Sequence, residues 1–246
     1  MSVHKKAFPA EIEYPESDGE PMAETDIHRD LMIDLIEGLK HHFQADPMVY
    51  VSGNMLLYYE EGNPRKSVAP DVFVARGIPK HKRRIYQLWV EGRPPDVIFE
   101  ISSRGTWGKD LQKNWRLYAR LGVREYFIFD PEYDYLEPPL NAYRLNDGEY
   151  EELEVLDGRV MSETLRLELV DTGETLRLLD PQTGKFLPTY GEILAERRQA
   201  EARAEVEAEA RQQAEARAEV EAEARRLAES ELARLREELA RLKQPG

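Results

Sequence analysis

Cysteine is missing from the chain altogether. Disulfide frameworks, thiolate metal sites and cysteine nucleophiles are thereby excluded. Long hydrophobic runs are missing too: none approaches the ~18 residues that span a bilayer. The opening Met1-Ser2-Val3-His4-Lys5-Lys6 leads into Ala7-Phe8-Pro9 and then acidic positions, where a secretory signal needs an apolar core. A cytoplasmic protein with no membrane partner is the expectation. Aromatic residues stop at Tyr190, and the remaining 56 positions hold none of the 22. Excess positive charge is absent as well. The formal net charge is −14, with −11 over the first 190 residues and −3 over the rest. This balance counts against a protein that coats nucleic acid through a broad cationic face, because phosphate neutralisation dominates such affinity. One local basic strip beside an acidic site is still compatible with this balance. Most catalytic signatures are absent: there is no GxxxxGK[ST] or GxGxxG after a strand and no GxSxG elbow. The five histidines, His4, His28, His41, His42 and His81, show no metal-like spacing.

What is present divides in three: an extended arm over residues 1–24, a body over 25–190 and a polar helical tail over 191–246. The arm is rich in Pro, Glu, Asp and Gly. Thr25 or Asp26 can cap a helix to about Phe43, with Ile27, Leu31, Leu35, Ile36 and Leu39 on one face. Short β-rich runs follow, Val49–Ser52, Met55–Tyr59 and, opened by Pro70, Asp71–Ala75. Asp96–Ser102 is the most hydrophobic strand. A helix from Thr106 to Leu121, closed by Gly122, separates it from the apolar run Glu125–Asp130. This strand–helix–strand unit predicts two parallel, central strands. Further runs at 141–145, 150–156, 164–170 and 175–179 predict an antiparallel extension of the same sheet. The fold class expected is α/β, a mixed sheet flanked by helices with a long C-terminal helix.

In the tail, AEARAEVEAEAR stands at 200–211 and again at 214–225, an offset of two heptads. Ala, Glu and Arg favour a helix in water. Val206, Val220 and Leu227 form a thin seam, and Leu232, Leu235, Leu239 and Leu242 a better one. Both a solvated single helix and a coiled-coil dimerisation helix satisfy this pattern. A homodimer through the tail is the partner expected.

Two acids stand where acids are costly. Asp71 opens an apolar strand and Glu100 lies inside Val97-Ile98-Phe99-Glu100-Ile101. A carboxylate in such a stretch is paired, neutralised or bound to a cation. Two at the ends of adjacent strands make a hard-oxygen site suited to Mg²⁺ or Mn²⁺. Lys113 lies on the following helix, one turn beyond Lys109 and near Trp115 and Tyr118. There it can orient a water or offset phosphoryl charge. Blander roles compete: Asp71 as a strand cap, Glu100 paired with Arg116, Lys113 solvated. Asp96 reads as a turn residue, Asp110 as a first-turn helix acid and Asp130 as a strand terminator. The connector Lys80–Arg84 reads either as an exposed loop or as a phosphate-contacting arm.

The pattern PDV, PPDVIFEISS, DLxK and YARLGVREYFIFDP resembles the Uma2 family of endonucleases, within the PD-(D/E)XK, restriction endonuclease-like superfamily. The resemblance covers roughly residues 15–190 and is densest over Pro70–Pro131. It implies a metal-dependent endonuclease that hydrolyses nucleic-acid phosphodiesters, DNA above all, with Mg²⁺ or Mn²⁺ as cofactor. Asp71 takes the first acidic position and Glu100 the second; the main-chain carbonyl of Ile101 is a further metal ligand. The superfamily's lysine lies two residues after the second acid, but Ser102 stands there, so the resemblance assigns the role to Lys113. Glu24 is the accessory glutamate it implies. The alternative is a non-catalytic scaffold of nuclease fold that assembles through its C-terminal helix.

Overall fold

In a computed structural model the chain divides into two compact units, Met1–Gly191 and Glu192–Gly246. Residues 12–17 and 25–242 are described. The elements run α1 (Asp26–His42), β1 (Val49–Ser52), β2 (Leu57–Tyr58), β3 (Ser67–Val68), β4 (Val72–Arg76), β5 (Tyr86–Gln87), α2 (Leu88–Glu91), β6 (Val97–Ile101) and α3 (Trp107–Lys109). A wide π-type turn, Asp110–Asn114, joins α3 to α4 (Trp115–Leu121). Then come β7 (Glu125–Phe129), β8 (Leu140–Asn146), β9 (Glu149–Glu152), β10 (Arg159–Ser162), β11 (Leu167–Asp171), β12 (Leu176–Asp180), β13 (Lys185–Phe186) and α5 (Tyr190–Leu242).

The first unit is mixed α/β. Among the described residues its main sheet has the order β1-β4-β6-β7-β8-β9. β6 and β7 are parallel, as a helical crossover requires, and every residue in both is buried. All other pairs in that sheet are antiparallel. Strand alternation assigns the faces. Val72, Val74, Val97, Phe99 and Ile101 pack with Leu31, Leu35 and Leu39 of α1. Phe73, Ile98, Tyr126 and Ile128 face the other way, against Leu117 and Tyr118 of α4. The Thr25 side chain accepts from the His28 main chain (3.2 Å), which sets the start of α1.

The antiparallel extension is only partly as expected. β8 and β9 extend the main sheet, but β10–β13 form a separate four-stranded sheet. β9 exposes three of its four residues and so ends the first sheet with a polar edge. Leu167, Leu169, Leu176 and Leu178 instead bury one face of the second sheet in the α1 side of the core.

In the second unit α5 is exposed at its described side chains from Ala195 onward. Arg197–Glu201, Arg211–Glu215 and Arg225–Glu229 repeat the same i,i+4 pair at 2.9–3.1 Å, following the two-heptad repeat of the sequence. No helix among the described residues is long and apolar enough to cross a membrane.

Candidate functional site

β4 and β6 bring the two strand acids together. Val72 pairs with Phe99, and that antiparallel register, continued by one residue, sets Asp71 opposite Glu100. The Asp71 main-chain N–H donates to Glu100 Oε2 (3.2 Å), and the Ile101 N–H donates to Asp71 Oδ2 (2.7 Å). Gly53 permits the arrangement. A Cβ there would stand 2.0 Å from the Asp71 carbonyl oxygen, so any side chain at 53 displaces this strand end.

Alternation turns Glu100 to the α4 side of the sheet, where it is 5% exposed. Its Oε1 accepts from the Tyr118 hydroxyl (2.6 Å) and from Asn114 Nδ2 (3.2 Å). The Asn114 amide also donates to Asp110 Oδ1 (3.1 Å), and Asp110 Oδ2 accepts from the Ser102 hydroxyl (3.3 Å). Asp110, Asn114 and Tyr118 recur every four residues, and the wide turn holds the first two on one face. From α1, His28 Nε2 lies 3.2 Å from Asp71 Oδ2. A cavity of about 150 Å³ opens on this cluster, with Thr25, Thr106 and Lys109 on its rim.

Three carboxyl groups thus share one small space with little positive charge. Burial, and then the negative charge of Asp71 and Asp110, push the Glu100 carboxyl well above its ordinary range. Burial likewise raises Asp110 to about 6, with Asp71 adding to the rise and hydrogen bonds from Thr106 and Ser102 opposing it. Burial, followed by the charge of Glu100, raises the Tyr118 hydroxyl too, so it stays a donor.

The expected site residues fare differently. Asp71 and Glu100 meet, and Ile101 is bonded to Asp71. Lys113 lines a different groove with Tyr59 and Lys66, whereas Lys109 lines the carboxylate cavity. One helical turn separates the two lysines, and the face assignment decides between them. Glu24 lies outside the described residues. Arg116 is not a partner of Glu100. Asp110 stands in the first turn of the π-type segment, as expected, and is besides a buried member of the cluster, 3% exposed. Asp96 is no mere turn residue either: buried, it accepts from Arg76 N–H (2.7 Å) and Arg93 (2.9 Å) and ties the strand ends together away from the cavity. His28, Asn114 and Tyr118 complete the site. The four-residue spacing of Asp110, Asn114 and Tyr118 was a readable signal for two of these, while nothing in the spacing marks His28.

The Uma2 family model, described as "Putative restriction endonuclease", matches residues 5–174. The chain belongs to the Uma2 family. The match takes in every residue of the carboxylate cluster. A solved structure of a putative nuclease from Anabaena variabilis aligns over 58% of this chain and 75% of its own, at 16% identity and a TM-score of 0.44. No curated protein matches.

In this Uma2 protein the cluster fits a divalent cation by its donor chemistry. No three His, Asp or Glu side chains among the described residues form a ready-made cage. What is available is a pair of facing carboxylates, a third behind them and hard oxygens throughout. Asn114 Oδ1 is buried without a partner among the described residues. Crowded carboxylates and an unused amide oxygen leave this pocket short of positive charge.

Proposed function

We propose that this Uma2 protein is a metal-dependent endonuclease acting on DNA phosphodiesters. The observation that carries the reading is the pairing of Asp71 with Glu100 across β4 and β6, in a cavity with a surplus of carboxylate. Asp71, Glu100 and the main-chain carbonyl of Ile101 would hold Mg²⁺ or Mn²⁺. When bound, such a cation supplies Lewis-acid stabilisation of the charge on the transferring phosphoryl group.

The chain's own residues do the rest. Tyr118 and Asn114 hold Glu100 in one rotamer, and the Ile101 N–H and His28 orient Asp71. A carboxylate pair fixed in this way loses little entropy on engaging a ligand. Lys109, exposed on the rim, places an ammonium where phosphate oxygens enter and takes the role expected of Lys113.

The test is nicking of supercoiled plasmid with Mg²⁺ or Mn²⁺. Wild type is expected to nick, and Glu100→Ala to fall to background with an unchanged circular-dichroism spectrum. Equal activity in both, or none in either across metals and nucleic acids, would sink the nuclease reading and favour the scaffold.

For the tail we propose self-association through α5. Leu232, Leu235 and Leu239 share one helix face and are each more than half exposed, an apolar stripe that a second copy would cover. Replacing all three with lysine is expected to convert a dimer to a monomer in light scattering. A parent chain that is already monomeric, or a variant still dimeric, refutes it.

A further inference from the structure

α4 has a second polar face that the carboxylate cavity does not use. Lys113, Arg116 and Arg120 recur at spacings of three and four and so share one side of the helix. With Lys66, Tyr59 and Gln112 they line an open groove of about 420 Å³. Lys66 and Tyr59 reach it from the β2–β3 hairpin, where the Tyr59 N–H donates to the Lys66 carbonyl (3.1 Å). No carboxylate lines this groove, and none of its four cations makes an ion pair with a described residue.

Several other guanidinium groups of the first unit sit against carboxylates, Arg83 on Glu91, Arg93 on Asp96, Arg144 on Glu125 and Arg159 on Glu168; what sets this groove apart is that four unpaired cations line one concavity. A second basic concavity, lined by Lys40, Lys80, His81, Lys82 and Arg83, is partly satisfied from within. Lys40 pairs with Glu37 (2.8 Å), Lys80 donates to the Phe43 carbonyl, and Arg83 is held by Glu91 over the Tyr50 ring. Within the Lys80–Arg84 connector this engages Lys80 and Arg83. In a chain of net charge −14, four uncompensated cations around one groove repel one another, and an anion that enters relieves the repulsion.

The groove also has a direction. Lys113 precedes Asn114, whose amide touches Glu100 and Asp110. Lys109, on the cavity rim, lies four residues earlier. From Lys109 to Arg120 the helix advances roughly 16 Å, the length of about four or five phosphates along one strand of a duplex.

We infer that Lys66, Lys113, Arg116 and Arg120 form a phosphate-contact track for the nucleic-acid strand that enters the carboxylate cavity. The inference takes the identity of the polyanion from the nuclease reading; the track itself stands on the unpaired charges.

Binding separates the two. Fluorescence anisotropy of a labelled DNA, as duplex and as single strand, is measured in EDTA so that nothing is cut. The triple variant Lys113→Glu, Arg116→Glu, Arg120→Glu is expected to bind at least tenfold more weakly at about 50 mM salt. The slope of log affinity against log salt is expected to become shallower by about 2–3. Single alanine variants at 116 and 120 should each flatten the slope by just under one, which keeps the test open if the triple variant misfolds. Lys82→Glu with Lys185→Glu, basic positions outside the groove, should stay within twofold of the parent. Unchanged affinity and slope in the groove variants, an equal loss in the control pair, or a parent that binds no nucleic acid overturns the inference. A protein that cuts nothing yet binds through these residues upholds the track and refutes only the nuclease reading. A nuclease whose binding ignores them does the reverse.

Discussion

The Glu100→Gln variant is expected to melt higher than the parent in EDTA at pH 8, while losing cation-dependent cleavage. Glu100 is buried among like charges, and its carboxyl is raised well above the ordinary value. Asp110 beside it is raised from 3.8 to about 6. A raised acid makes the folded protein hold a proton that the unfolded chain has released. Stability is then full below the unfolded pKa and declines as pH climbs through the folded one. For Asp110 that window runs from about pH 4 to about pH 6 and amounts to roughly 3 kcal/mol. Glu100 carries the decline higher. Glutamine removes the charge at position 100 and relieves its neighbours. Its amide can replace Oε1 against the Tyr118 hydroxyl, and Asn114 can turn its unpartnered Oδ1 to meet it. A gain of about 2 kcal/mol corresponds to roughly 4–8 °C in a domain of this size. Thermal melts in EDTA from pH 4 to pH 8 check it: the parent should lose stability over that range and the variant should follow a flatter line. A variant that melts several degrees below the parent at pH 8 contradicts the crowded-carboxylate account. Function and stability would then not oppose each other at this site.

A loss of similar scale but opposite sign is expected at Glu125. Its carboxylate is 1% exposed and belongs to the first strand residue after the helix crossover. It accepts from the Ser162 hydroxyl (2.5 Å), the Glu163 and Thr164 N–H groups (3.0 and 3.3 Å) and the Arg144 guanidinium (3.2 Å). One side chain therefore ties β7 of the main sheet to the turn that follows β10 of the second sheet. Glu125→Ala leaves the buried Ser162 hydroxyl and two main-chain N–H groups without their acceptor, while Arg144, partly exposed, keeps Glu163 (2.8 Å); stranding such donors costs about 1–3 kcal/mol each, or about 3–5 kcal/mol together. Urea denaturation should show this as a lower midpoint at similar m-value, with Glu125→Gln in between because it keeps an acceptor but not the charge. A cost below about 1 kcal/mol would mean that the two sheets are held by their apolar faces alone.

These two glutamates illustrate how far the sequence can be read. Glu100 and Glu125 are both acids in apolar strands, and the same burial argument covers both. Glu100 stands out because its strand is apolar on either side. Glu125 sits at a strand end and passes for a boundary residue, since its partners Arg144 and Ser162 lie 19 and 37 residues away. Asp130 repeats the lesson: it reads as a strand terminator, yet it is fully buried and accepts from the N–H groups of Glu132, Tyr133, Tyr135 and Leu136. It is the scaffold of the following loop. Long-range hydrogen bonds leave no periodic mark, so such roles surface only in three dimensions.

The local chemistry of the chain determined α1 and its cap, the parallel β6 and β7 with a helix between them, the long charged α5, and Asp71 and Glu100 as the acids to watch. Each follows from short-range periodicity, capping residues or the cost of charge in an apolar run. Only the tertiary structure decided that the last strands leave the main sheet, that His28 and Asp110 join the acid pair, and that Lys109 and not Lys113 borders their cavity. A lysine's place on a helix face turns on about a hundred degrees per residue, and the wide turn at Asp110–Asn114 shifts that phase. Such a shift is set by packing against Glu100 and Tyr126, which lie on other strands, and no window of neighbouring residues contains it.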